Sequence, residues 1–277
     1  MGIPFVKGHG TENDFVLLPD LDASLDLTPA RVRVLCDRRA GLGADGVLRV
    51  VRAKAIEGRP SDVDEDTWFM DYRNADGSIA EMCGNGVRVF ARYLLDAGLV
   101  TGHEFPVGSR AGVRDVVVGA DGDVAVDMGP ARVTGESAAT LGGRTLPGIT
   151  VDVGNPHLVC AVSRLDVLDL TQQPGYDAAV FPDGVNVEFV VVDAPDRIRM
   201  RVHERGVGET RSCGTGTVAA VTGVLHRRGA RTGAASVEIP GGRVRVDIRE
   251  NTSVLTGPAA FVARGELDRA WWDGISE

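Results

Sequence analysis

Cys83-Gly84-Asn85-Gly86-Val87-Arg88-Val89-Phe90-Ala91-Arg92-Tyr93-Leu94-Leu95-Asp96-Ala97-Gly98 is one of two versions of a single pattern in this chain. The other is Cys213-Gly214-Thr215-Gly216-Thr217-Val218-Ala219-Ala220-Val221-Thr222-Gly223-Val224-Leu225-His226-Arg227-Arg228-Gly229. Each opens on Cys-Gly-x-Gly. In the first, Val87, Val89, Phe90, Tyr93, Leu94 and Ala97 recur at helical spacing and predict a helix over 85–97, stopped by Gly98. In the second, Val218, Val221, Val224 and Leu225 predict a helix over 215–228, stopped by Gly229. The two cysteines lie 130 positions apart, close to half of the 277-residue chain, so the pattern predicts two similar domains.

Outside these segments the chain reads mostly as strands. Apolar and β-branched runs recur between Gly and Pro signals: Phe15–Leu18, Gly46–Val51, Val113–Val118, Val124–Met128, Ile149–Val153, Leu158–Val162, Val187–Val192, Ile198–Val202, Val237–Ile239, Arg243–Ile248 and Phe261–Val262. Asp121-Gly122 between two of them predicts a hairpin turn. Thr28-Pro29 opens one further helix, to about Asp37, with Thr as N-cap and Pro at the first position. Many strands and few helices predict an α+β fold with antiparallel or mixed sheets, not a doubly wound one. The acidic run Ser61–Asp66 reads as a solvated loop insertion.

Composition narrows the function classes. Apolar residues at 43% and charged residues at 25% are those of a globular protein. No apolar run approaches the ~20 residues of a membrane helix, and Met1–Lys7 lacks the features of a signal peptide, so a cytoplasmic protein is expected. A net charge of −9 repels phosphate backbones, so neither nucleic acid nor membrane is expected as a partner. The cysteines are Cys36, Cys83, Cys160 and Cys213, too sparse for a disulfide framework and wrongly spaced for a metal site. Cys36 and Cys160 read as small core residues.

A cysteine before a helix N-terminus is expected to have a lowered pKa, and the N–H groups behind it to cradle a carboxylate. Two such units suit two chemistries. One is a redox pair. The other is a two-base racemase or epimerase, in which one thiolate removes an α-proton and a thiol on the opposite face returns one. A pyridoxal phosphate enzyme needs a Schiff-base lysine, and the chain has only Lys7 and Lys54, neither in a cofactor context. A route without cofactor or metal is therefore expected. Turn-rich segments add polar candidates: Asn13, Asn74, Asn155, His157, Asn186, and the Glu204-Arg205 pair just ahead of Cys213. Asn at a turn commonly caps its own backbone, whereas Arg can grip a carboxylate with two bonds.

Taken together, His9–Phe15, Asp37–Asp45, Asn74–Arg88, Gly154–His157, Val185–Val187 and Glu204–Gly216 resemble the diaminopimelate epimerases, cofactor-independent two-thiol enzymes. The resemblance runs nearly end to end. It implies interconversion of LL- and meso-2,6-diaminopimelate in lysine and peptidoglycan precursor synthesis. It implies Cys83 and Cys213 as the acid/base pair. Asn13, Asn74, Asn155, Asn186, Glu204 and Arg205 would hold substrate by their side chains, and Gly84, Asn85, Gly214 and Thr215 by their backbone. His157 and Glu204 would tune the cysteines. The implied fold is two similar domains, each a curved, mostly antiparallel sheet around a central helix, with the active site in the cleft between them. The halves are then 1–125, with 259–277 returning to it, and 126–258. A homodimer is also implied. Glu12, Gly46 and the 61–66 loop depart from the family pattern without touching either cysteine. A proline racemase-like enzyme is the alternative.

Overall fold

The computed structural model describes residues 2–275; Met1, Ser276 and Glu277, at the outer ends of the segments assigned to the first half, lie outside them. The chain forms two compact units, Met1–Val126 with Pro258–Glu277, and Asp127–Gly257. Both are sheet-rich, with few helices. No helix among the described residues is long and apolar enough to cross a membrane.

In the first unit, Ile3–Gly10 pairs antiparallel with both Asn13–Pro19 and Ala260–Leu267. Asn13–Pro19 runs parallel to Gly46–Arg52, which is antiparallel to Trp68–Asn74. Glu104–Ser109 follows parallel, then Gly112–Val118 antiparallel. Helix α1, Pro29–Cys36, connects the first parallel pair and helix α2, Gly84–Asp96, the second. Thr28 caps α1 and Pro29 occupies its first turn, as expected. The sheet is covered on both faces, which explains its nearly unbroken apolar strands. Neighbours along a strand point oppositely: Val47 joins the cluster of Val32, Leu35 and Trp272, while Leu48 lies against Gly86 of α2. Trp272, from the short helix Arg269–Asp273, is almost wholly buried there.

The second unit repeats this plan. Arg144–Asp152 pairs antiparallel with Arg132–Leu141 and Pro156–Ala161. Pro156–Ala161 is parallel to Asn186–Ala194, which is antiparallel to Arg197–Glu204. Helix α3, Gly214–Arg227, leads to Gly233–Ile239, parallel to Arg197–Glu204. Gly242–Ile248 and Ser253–Gly257 then follow antiparallel. Matched strand by strand, α3 stands where α2 stands. The irregular stretch 162–185 replaces α1, burying Leu165, Leu170 and Phe181 in its place.

The long helices and all the expected strands form, and Asp121-Gly122 makes its hairpin, with Gly122 at φ 88. Several strands exceed or escape the sequence reading. Ile3–Gly10 contains Pro4, Gly8 and Gly10, which read as breakers, yet it is paired on both sides and absorbs Gly8 in an irregular register. Glu104–Ser109 hides behind Pro106, and Arg144–Asp152 starts well before Ile149 because Pro147 and Gly148 sit inside it. A Cβ on Gly148 would fall 2.7 Å from Leu158, so the strand needs glycine there. The acidic loop is exposed except Val63, which anchors it in a small core with Phe69.

Candidate functional site

Each cysteine caps a helix in almost the same extended conformation. Cys83 has φ −141 and ψ 116, Cys213 φ −125 and ψ 114. Each carbonyl starts its helix, accepting from Val87 N at 2.8 Å and Thr217 N at 3.0 Å. Gly86 and Gly216 keep the turns open. A Cβ on Gly216 would lie 2.9 Å from Glu188 Oε1 and 3.2 Å from Cys213 Sγ.

In the first unit Cys83 is half-buried. Its Sγ lies 3.5 Å from Asn13 Oδ1, which also accepts from Asn85 Nδ2 at 3.2 Å. Asn13 Nδ2 donates to Asp45 Oδ2 at 2.8 Å. Asp45 also meets Arg38, which pairs with Asp14 beside Lys7. Burial opposes the Asp14 charge, but the bonds from Arg38 and Lys7 win and bring its carboxyl to about 2. Asn13, Cys83 and Asn85 thus form one cluster. Asn74 donates to Ser78 Oγ at 3.0 Å in the turn that ends at Gly77, next to Asp45, whose carbonyl accepts from Ala75 N at 3.1 Å. Gly77 has φ 88, and a Cβ there would come 2.6 Å from Pro29 O. Gly77→Ala is expected to cost about 1–3 kcal/mol, read as a lower urea midpoint.

In the second unit Cys213 is buried. Its Sγ accepts from Gly216 N at 3.3 Å and meets Thr215 Oγ1 at 3.6 Å. The expectation of a lowered thiol pKa is corrected here. Burial pushes the Cys213 thiol well above its ordinary value, and Glu204 and Glu188 push it further. The Gly216 and Thr215 contacts pull it down and are outweighed. A helix end favours a thiolate only while solvent or a cation helps, and two carboxylates take their place here.

His157 and Asn155 meet through Nε2 and Oδ1 at 2.9 Å, and the other ring nitrogen, Nδ1, is 2.7 Å from Glu188 Oε1. The ring nitrogens therefore face Glu188 and Asn155. Asn186 braces the backbone, donating to Pro156 O at 3.1 Å and accepting from Arg205 N at 3.0 Å. Glu204 accepts from Thr210 Oγ1. The Arg205 side chain donates to Asp183 O at 3.2 Å. It lines a cavity of about 610 Å³ with Tyr176, Gly184 and His203, whereas Cys213 is not among the lining residues.

Sequence reasoning missed Glu188 and Arg88 as parts of these clusters. Their signal was present: a lone carboxylate in the apolar run Val187–Val191, and a lone guanidinium between Val87 and Val89. Charged residues are almost never wholly buried without a reason, yet both are fully buried.

Comparison with known proteins agrees on the family. The diaminopimelate epimerase family model matches residues 5–134 and 149–262. The diaminopimelate epimerase of Rhodococcus jostii is 56% identical over 287 aligned positions, covering 98% of this chain and 99% of that protein. That of Mycobacterium tuberculosis is 55% identical over 286, covering 98% and 99%. Among solved structures, a probable proline racemase from Agrobacterium radiobacter superposes with a TM-score of 0.68 at 16% identity, over 99% of this chain and 95% of that one. A Bacillus anthracis phenazine biosynthesis protein gives 0.67 at 16%, over 97% and 99%. These two share the fold. With a family match over most of the chain and relatives above half identity, the chain belongs to the diaminopimelate epimerase family, a family of isomerases.

Proposed function

We propose that this chain interconverts LL- and meso-2,6-diaminopimelate with two thiols and no cofactor, in the cytoplasm, as a homodimer. The observation that carries the reading is the duplicated helix cap: Cys83 and Cys213 open α2 and α3 at matching places in two matching sheets. One sulfur, as thiolate, takes the α-proton from one face of the carbon. The other, as thiol, gives a proton to the opposite face, so the centre inverts and the two protonation states exchange. The developing negative charge is stabilised by N–H groups at the two helix starts, around Gly84-Asn85 and Gly214-Thr215, aimed at the α-carboxylate. Asn13, Asn74, Asn155, Asn186, Glu204 and Arg205 bind the rest of the substrate, and His157 and Glu204 bias the thiols. The match of the diaminopimelate epimerase family model over residues 5–134 and 149–262 supports the reading.

The test is incubation with LL-diaminopimelate in deuterated water. The expected result is deuterium at one α-carbon together with the meso isomer. Turnover of proline but not of diaminopimelate would refute the reading. Arg205→Lys is expected to raise KM roughly tenfold while the charge is kept, because the planar fork is lost. An unchanged KM would show that Arg205 does not grip a carboxylate. Size-exclusion chromatography checks the dimer.

A further inference from the structure

His157 and Glu188 are both wholly buried, and Nδ1 of the ring lies 2.7 Å from Glu188 Oε1. The first unit fills the same place differently. Pro156–Ala161 runs parallel to Asn186–Ala194 with His157 opposite Asn186 and Val159 opposite Glu188. Asn13–Pro19 runs parallel to Gly46–Arg52 with Phe15 opposite Gly46 and Leu17 opposite Leu48. His157 and Glu188 therefore match Phe15 and Leu48. The helices agree: a Cβ on Gly216 would lie 2.9 Å from Glu188 Oε1, and a Cβ on Gly86 3.3 Å from Leu48 Cδ2. Phe15 and Leu48 are wholly buried too. The same place thus holds two apolar side chains in one unit and an acid with a base in the other. Packing alone does not call for the polar pair, and burying it is costly.

Each of the two strands also has an asparagine two residues before the matched ring, Asn13 and Asn155. Asn13 is held by its Nδ2, which donates to Asp45 Oδ2 at 2.8 Å. Asn155 is held by its oxygen, 2.9 Å from His157 Nε2. Burial pushes the Glu188 carboxyl up and Glu204 pushes the same way, while the contact with His157 pulls it down and is outweighed. Glu188 Oε2 has no hydrogen-bond partner among the described residues. A wholly buried pair of this kind is favoured without net charge, with one proton between Oε1 and Nδ1. On whichever of those atoms the proton sits, Nε2 carries a hydrogen, and Asn155 Oδ1 accepts it.

We propose that Glu188 is a positioning residue for Asn155, acting through His157. Glu188 holds the ring by Nδ1, and the ring holds the amide oxygen by Nε2. The amide is thereby fixed with its Nδ2 hydrogens as donors to substrate. This rests on Asn155 binding substrate in the epimerase proposed above.

The first test needs no substrate. Nitrogen-15 NMR of histidine-labelled protein at neutral pH reads which ring nitrogens carry hydrogen, with the His157 ring assigned through its own backbone amide. A hydrogen on Nε2 is expected. A bare Nε2 overturns the proposal in the unaltered protein, whether or not a variant folds. The second test is a mutant cycle on KM for LL-diaminopimelate. Glu188→Leu, which takes the matching residue of the first unit, is expected to raise KM about tenfold, the scale of one lost hydrogen bond. Glu188→Gln, which can still bond Nδ1, should restore most of it. In an Asn155→Ala background Glu188→Leu should raise KM no further. Two fully additive losses would show that Glu188 acts on Cys213 or on the fold and not through Asn155, and would overturn the proposal. An unchanged KM in Glu188→Leu does the same. If the unaltered protein fails to turn over diaminopimelate, the epimerase reading itself falls, and the Nε2 result still decides whether Glu188 and His157 hold Asn155.

Discussion

Alanine at either Cys83 or Cys213 is expected to lower epimerisation by about a hundredfold to ten-thousandfold, the range contributed by a positioned acid or base. The two losses should differ in kind. Without Cys213, a Cys83 thiolate can still remove the α-proton from one face and return deuterium to the same face. Exchange without inversion should then survive for one isomer. Without Cys83, the corresponding exchange should appear with the other isomer, and more slowly at neutral pH, because burial and two carboxylates hold Cys213 as a thiol. Cys36 and Cys160 serve as controls. Both are buried in core clusters, and burial pushes each thiol up to about 12. Alanine at either should keep the activity and lose at most ~1–3 kcal/mol of stability. Mass spectrometry and chiral separation of the product give both readouts, and equal inactivation by all four substitutions would overturn the assignment.

Asp71→Asn is expected to cost about 3–5 kcal/mol of stability, the range for breaking a buried charge cluster by removing one partner. The Asp71 carboxylate is wholly buried on strand Trp68–Asn74. It is ringed by Arg110 Nη1 at 2.7 Å, Arg73 Nε at 3.0 Å and Arg49 Nη1 at 3.7 Å. Asparagine keeps the volume and leaves the guanidiniums without their shared anion. Burial opposes the charge, but the Arg73 hydrogen bond and the Arg110 charge outweigh it and hold this carboxyl below its ordinary value. The sign for pH follows. A depressed folded-state value stabilises fully above the unfolded carboxyl value, ~3.9, and that contribution fades as pH falls through the folded value. The gap between Asp71→Asn and the unaltered protein should therefore be widest near neutral pH and narrow in acid. Urea unfolding at several pH values measures it, and a gap below about 1 kcal/mol at neutral pH would mean that solvent screens the cluster.

The repeated Cys-Gly-x-Gly helices were legible because helix period, N-terminal glycines and a C-terminal Gly all point the same way. The doubled plan of the fold followed from them. Strands crossing Pro4, Pro106 and Pro147 were not legible, because local punctuation is overridden once pairing and two-sided burial fix the backbone. The cysteines and the polar candidates could be picked from turns and spacing. Their electrostatics could not. The direction at Cys213 is set first by its burial and then reinforced by Glu204 and Glu188, brought to it by long-range pairing of Asn186–Ala194 with Arg197–Glu204. Arg88, likewise, reads as one face of a helix until the turn at Gly10-Thr11 closes over it.

The pairing of Ala260–Leu267 with Ile3–Gly10 sets an order for synthesis on the ribosome. Residues 127–257 are contiguous and hold a whole unit, so they can fold as soon as they emerge. The other unit begins with residues made before these but lacks Ala260–Leu267 and Trp272 until the ribosome has passed them. At about 5–20 residues per second, Ile3, Val16, Leu18 and Leu35 stay without their full cover for tens of seconds. The unit completed by Ala260–Leu267 is thus the one more dependent on chaperones, although most of it is made before its neighbour.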